Sequence, residues 1–224
     1  MTILLRNSQR VLHAKEYLQS ATPASALVDR SRFANNGTFS NVTWTQLSSG
    51  VWVNGFNGST SYIEIPDSPT MRMTQGGTIS CWVKANGLGE GGYARIIDKS
   101  SSAAGADGYK LQYNTNNVIY FKTSTGADLL SSANALPFGV WKLVTVTFGS
   151  ARKIYVNGVD VTASGGSESA LPPNVAGAVR IGNRAGATDF TWDGNIGGMK
   201  LTQKVMTATE VLREFNATRR MYGV

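Results

Sequence analysis

The sequence predicts an all-β protein, a sandwich or barrel of antiparallel strands. Three observations carry that prediction. Short runs of β-favouring residues recur along the chain, glycine, asparagine and serine separate them, and most runs alternate apolar with polar residues at period two. With 224 residues, 42% hydrophobic and 16% charged, the chain is too apolar for a disordered segment. It is long enough to bury roughly 70% of its unfolded surface in one core, and one domain is the default for an all-β chain of this size.

Taken in order, the runs are 50–56, 61–66, 78–84, 95–99, 109–114, 118–123, 141–148, 153–161 and 179–182. Within 78–84, Ile79, Cys81 and Val83 share one face and Ser80, Trp82 and Lys84 the other, so Cys81 reads as a small buried hydrophobe. The stretch IYVNGVDV sets Asn157-Gly158 between alternating apolar positions, the signal of a hairpin whose type I′ turn needs positive φ at both central residues. Helix signals sit only at the ends. Thr207-Ala208-Thr209-Glu210 fits a capping box, followed by an apolar stripe of Val211, Leu212 and Phe215. Residues 8–19 place Val11, Ala14 and Leu18 at helical spacing, and Pro23 should end that helix.

Composition also excludes. One cysteine and one histidine permit neither an internal disulfide nor a Cys/His metal site. No run of about 18 apolar residues is present to cross a membrane. The opening MTILLRNSQRVLHAKEYL carries Arg6, Arg10 and Lys15 where a secretory signal needs its apolar core. The net charge of +7 is concentrated at the ends: residues 1–32 carry +3, residues 200–224 carry +3, and the body is nearly neutral. These ends are either solvated faces or one basic surface for an acidic partner.

From Asp29 onward the order of motifs resembles a laminin G-like domain of the concanavalin A-like jelly-roll superfamily. The matching segments are VDRSRFANNGTF at 28–39, FNGSTSYIEIPDSPTM at 56–71, GTISCWVK at 77–84, RIIDKS at 95–100, GVWKLVTVTF at 139–148, KIYVNGVDV at 153–161, VRIGNR at 179–184 and TATEVLREF at 207–215. The resemblance implies a two-sheet antiparallel jelly-roll sandwich over residues 28–224, with a short C-terminal helix and its first and last strands close together. Residues 1–27 fall outside it and read as a partly helical arm for docking or oligomerisation. Calcium is the one cofactor the family implies, with Asp29 and Asn36 as ligands. The usual C-terminal acidic pair is replaced by Asn195-Ile196-Gly197-Gly198, and the alternative is that Asp29 and Asn36 close a turn.

Catalysis finds little support. None of Glu16, Glu64, Glu90, Glu168, Glu210 or Glu214 lies in the Glu-x-Asp-x-x-Glu pattern of the jelly-roll glucanases. Tyr120-Phe121-Lys122 resembles part of a lyase motif, yet the only histidine, His13, lies outside the jelly roll. No catalytic residue is therefore assigned. Most aromatics, Trp52, Trp82, Trp141, Tyr120 and Tyr155, fall in alternating strands and read as core. Tyr93, Phe190 and Trp192 are harder to bury by pattern, and with Asp107, Asn183 and Arg184 they form the candidate ligand-binding rim.

The expectation is a non-catalytic recognition and structural protein displayed on a virion, as a phage head-decoration or tail-associated protein. It would present the jelly roll to a glycan or host-surface ligand and bind capsid or tail proteins through a basic terminal face. The absence of a signal peptide and the basic arm motivate this reading. The alternative is a stand-alone lectin-like module, extracellular by a non-classical route, and a polysaccharide hydrolase or lyase ranks below both. Nucleic acid is disfavoured because the basic residues are not interleaved with the aromatics, and a homo-oligomer remains open.

Overall fold

Apolar residues at alternate positions of 78–84 and 141–148 dictate the centre of the fold. A computed structural model of the chain describes residues 10–13, 17–18, 26–101, 107–123, 127–166 and 171–224. In it these runs become the strands Gly77–Ala85 and Lys142–Phe148, paired antiparallel from Val83 opposite Lys142 to Gly77 opposite Phe148. The first sheet runs Val159–Asp160, Lys153–Val156, Lys142–Phe148, Gly77–Ala85, Asp193–Thr202, Val51–Asn57, Tyr17–Leu18. Arg10–His13 adds to Asp193–Thr202 and Thr43–Gln46 to Val51–Asn57. The second sheet runs Thr162–Ser164, Leu129–Ser131, Val118–Thr123, Tyr109–Asn114, Arg95–Lys99, Val179–Ile181, Tyr62–Ile65, Gly37–Ser40, Ala26–Leu27. The two sheets form the jelly-roll sandwich.

The alternation is realised as read. Ile79, Cys81, Val83, Val144 and Val146 from the first sheet meet Ile63, Ile65, Ile97, Leu111 and Phe121 from the second in one buried core. Burial pushes the Cys81 thiol far up in pKa, so it stays protonated and inert. The Asn157-Gly158 turn carries φ of 52° and 82° and leaves Val156 opposite Val159, as a type I′ hairpin requires.

Trp82 points to the opposite face of its strand. There it joins Val51, Val53, Leu143 and Tyr222 in a second cluster, which the C-terminal segment covers. The capping box starts the helix Ala208–Thr218: the Glu210 amide donates to Thr207 Oγ1, and the Thr207 amide donates to Glu210 Oε2 at 3.0 Å. The predicted stripe needs one correction. Val211 is buried and Phe215 packs on the second cluster, but Leu212 is exposed. The inward line continues through Thr218, whose hydroxyl accepts the Trp82 indole N–H at 3.0 Å, so the helix is rolled away from Leu212.

The larger correction concerns the N-terminal arm, where a helix was expected. Arg10–His13 and Tyr17–Leu18 are strands; the rest of 8–19 and the proline stop at Pro23 lie outside the described residues. The ladder explains why. Asp193–Thr202 pairs with Val51–Asn57 only from Asp193 to Ile196. Beyond it, His13 lies opposite Lys200 and Leu12 opposite Leu201 on that same edge, while Tyr17 lies opposite Trp52. The arm thus fills a gap between two diverging strands, and satisfying their backbone groups outweighs a weak amphipathic pattern.

Candidate functional site

The outward face of the second sheet is a charged ladder. Core residues Ile63, Val179, Ile97, Leu111 and Phe121 alternate with outward ones, so the register aligns Glu64, Arg180, Asp98, Lys110 and Lys122 across five strands. Arg180 donates from Nε to Glu64 at 2.8 Å and Lys122 pairs with Asp128 at 2.9 Å. Arg95 donates from Nε to Asp98 at 3.0 Å, and Ser100 Oγ donates to the same carboxylate at 2.5 Å. Burial raises the Asp98 pKa against those two pulls, and burial lowers those of Arg95 and Lys110. Tyr120 stands half-buried on this face.

At the Arg95 end of the ladder the loop after Val179–Ile181 folds over the sheet. The Arg180 guanidinium braces it through the carbonyls of Arg184 and Ala187. The Trp192 amide donates to the Gly182 carbonyl at 2.8 Å, and the Arg95 amide donates to the Phe190 carbonyl at 2.9 Å. Phe190 is thereby held at φ 62°, in the left-handed region that a bulky side chain seldom enters. Its ring lies 5.2 Å from the Arg95 guanidinium carbon and 4.9 Å from that of Arg184, with the exposed Tyr93 ring edge-on at 6.1 Å. Among the described residues Arg95 Nη1 and Arg184 Nε have no hydrogen-bond partner, and their guanidiniums are seated on the aromatic ring.

The structure therefore brings Tyr93, Arg184 and Phe190 together and leaves the other rim candidates out. Trp192 is wholly buried against Tyr113, because the 182–192 backbone pairing turns its ring into the core. Asn183 is equally buried, donating to Thr191 Oγ1 at 2.9 Å and accepting from the Arg184 amide at 2.7 Å, so it pins the loop. Asp107 sits at the far end of Tyr109–Asn114, where it accepts the Ser101 amide and hydroxyl and closes a turn. Of the aromatics read as core, Trp82 and Tyr155 are buried, while Trp52, Trp141 and Tyr120 are only half-buried. Arg95 was not foreseen, since RIIDKS reads only as a short strand; the paired polar positions of YKLQYN and VIYFKT were the available signal for this face.

Calcium does not fit Asp29 and Asn36. Asp29 Oδ1 accepts the Ser31 amide at 2.8 Å, and Oδ2 accepts the Ser31 hydroxyl at 2.6 Å and the Asn35 amide at 2.8 Å. Asn36 Oδ1 accepts the Asp29 amide at 2.9 Å. These oxygens are turned into the loop, and among the described residues no three His, Cys, Asp or Glu side chains converge. A hard cation needing 6–8 oxygens has no such set here.

A model of the concanavalin A-like lectin/glucanase superfamily, of the laminin G type, matches residues 57–212. The chain belongs to that family. No curated protein matches it in sequence. Among solved structures it is similar to the binding domain of Paraclostridial mosquitocidal protein 1, at TM-score 0.72 and 13% identity, covering 97% of this chain and 55% of that one. A botulinum neurotoxin type C structure described by its interaction with two ganglioside molecules gives 0.64 and 16%, over 94% and 51%. A Trypanosoma rangeli sialidase complexed with 2,3-difluorosialic acid gives 0.68 and 15%, over 93% and 33%. The chain spans about half or less of these proteins, and the likeness is one of fold, the concanavalin A-like jelly roll.

Proposed function

We propose that this chain is a non-catalytic recognition module that binds a glycan where Tyr93 and Phe190 meet Arg95 and Arg184. The observation that carries the reading is Phe190, held at φ 62° on two guanidiniums with Tyr93 exposed beside it. Backbone strain at an aromatic platform is the kind that a binding site sustains. An exposed aromatic edge backed by guanidiniums whose charge is already shared with Asp98 and Asp189 suits the C–H face of a sugar ring. The ladder carboxylates support binding over hydrolysis, because Glu64, Asp98, Asp128 and Asp189 each stand in an ion pair. The ganglioside contacts described for the type C neurotoxin support a glycan as ligand by analogy of fold. In the test, Tyr93→Ala weakens binding to ganglioside-type oligosaccharides on an array roughly tenfold or more. Its thermal midpoint stays within about 2 °C of the parent, as expected for an exposed side chain. Unchanged binding would remove Tyr93 from the site.

The finer part of the proposal is display on a virion surface, as a head-decoration or tail-associated protein held by its basic ends. Pairing of Arg10–His13 with Lys200–Thr202 sets the two ends side by side in the sheet. Lys200 and Lys204 are neutralised by Glu214 and Glu210, which leaves Arg213, Arg219 and Arg220 exposed. Attachment through such charges should weaken as salt rises, since screening shortens to about 3 Å at 1 M. Co-sedimentation with virus particles that is lost at high salt supports display; no co-sedimentation at low salt leaves the stand-alone lectin.

A further inference from the structure

The C-terminal segment builds a second concavity on the outer face of the first sheet, away from the Phe190 platform. It is an open cleft of about 400 Å³, walled by the turn at Leu47, Ser48 and Ser49, by Trp141, and by the terminal turn carrying Arg220, Met221 and Tyr222. Three contacts fix its walls. Tyr222 stacks on Trp82 at 4.4 Å and 14° between ring planes, Trp141 stands edge-on to Tyr222 at 5.0 Å, and Ser49 Oγ donates to the Met221 carbonyl at 2.5 Å. Trp82 is in turn held by Thr218 of the helix. Walls held in place by these contacts lower the ordering cost of binding.

Its chemistry is one-sided. Half-buried Trp141, Leu47 and Met221 supply an apolar wall, Ser48 and Ser49 supply hydroxyls, and Arg220 is the single charged group among the described lining residues. Among the described residues no carboxylate lines it. An apolar wall beside hydroxyl groups and one guanidinium matches a pyranose that presents a C–H face on one side and a carboxylate on another.

We infer that this cleft is a second ligand site, selective for a carboxylated sugar, with Trp141 under the ring and Arg220 on the carboxylate. The choice of a sugar rests on the glycan-recognition reading, but the site shares no residue with the Phe190 platform, so the two fail separately. The probe is 3′-sialyllactose, with lactose as its neutral counterpart, titrated into the full chain while indole N–H signals are followed by NMR. The Trp141 signal is assigned by Trp141→Phe among the five tryptophans.

The acidic trisaccharide should shift the Trp141 signal and lactose should not. Arg220→Ala, at an exposed position, should weaken that response roughly 10–100-fold, the loss of one charge-assisted contact, and Arg220→Lys should restore part of it. Tyr93→Ala should leave the Trp141 response unchanged. The inference is overturned if the trisaccharide leaves Trp141 unmoved, if Arg220→Ala binds as the parent does, or if lactose shifts Trp141 equally. A response confined to residues around Tyr93 would likewise overturn it while leaving the glycan reading intact.

Discussion

Truncating Trp192 to alanine is expected to cost about 3–5 kcal/mol and to lower the thermal midpoint by roughly 10 °C. The side chain has no exposed surface, belongs to the main core and meets Tyr113 edge-on at 5.9 Å. Alanine leaves a cavity among close-packed residues that have little freedom to collapse into it. Trp192→Phe should lose much less. The indole N–H has no hydrogen-bond partner among the described residues, so phenylalanine keeps an aromatic ring while removing a buried donor without a partner there. Thermal unfolding of the two variants beside Tyr93→Ala separates core from surface. If Trp192→Ala unfolded at the parent temperature, its ring would have to lie outside the core.

Deleting residues 1–18 is expected to destabilise the sandwich by several kcal/mol and to favour aggregation, at about 1 kcal/mol for each ladder hydrogen bond lost. The deletion strips the partner strands from Lys200–Thr202 and from Val51–Trp52. Two edges inside one sheet would then face each other unpaired, a template for another chain. Chemical denaturation and size-exclusion chromatography measure both effects. A truncated chain that stayed monomeric with unchanged stability would show the arm to be an appendage, as its helical pattern and basic charge first implied.

These two segments mark where sequence reading succeeded and where it could not. Strands with sustained alternation, such as Gly77–Ala85 and Tyr109–Asn114, were legible because their period encodes a buried face directly. Ala26–Leu27, Thr43–Gln46 and Thr162–Ser164 were not read, because their few residues include little apolar alternation and they exist through their neighbours. The arm is the extreme case, since its conformation is set by a gap that opens between Val51–Trp52 and Lys200–Thr202, far apart in the sequence. The site was legible in part for the same reason. Tyr93 and Phe190 stood out as aromatics in glycine-rich or loop-like sequence, and the structure pairs them. Trp192, two residues on, looked identical by local composition, and only its long-range pairing with Gly182 decides that it is core. Arg95 was hidden by the same long-range effect, since only the loop that folds back from Val179–Ile181 buries it beneath Phe190.

The central claim is that the chain holds a glycan at the Tyr93 and Phe190 platform and leaves it intact. Saturation-transfer NMR, run as a time course on ganglioside-type oligosaccharide with catalytic amounts of protein, tests both halves at once. With Arg220→Ala in the background, so that the second cleft does not contribute, irradiating the aromatic protons should transfer saturation to the sugar when Tyr93 is present and much less in Tyr93→Ala, while the anomeric signals keep their intensity over a day. New reducing-end signals that require the folded protein, or saturation transfer that Tyr93→Ala leaves undiminished, would contradict it.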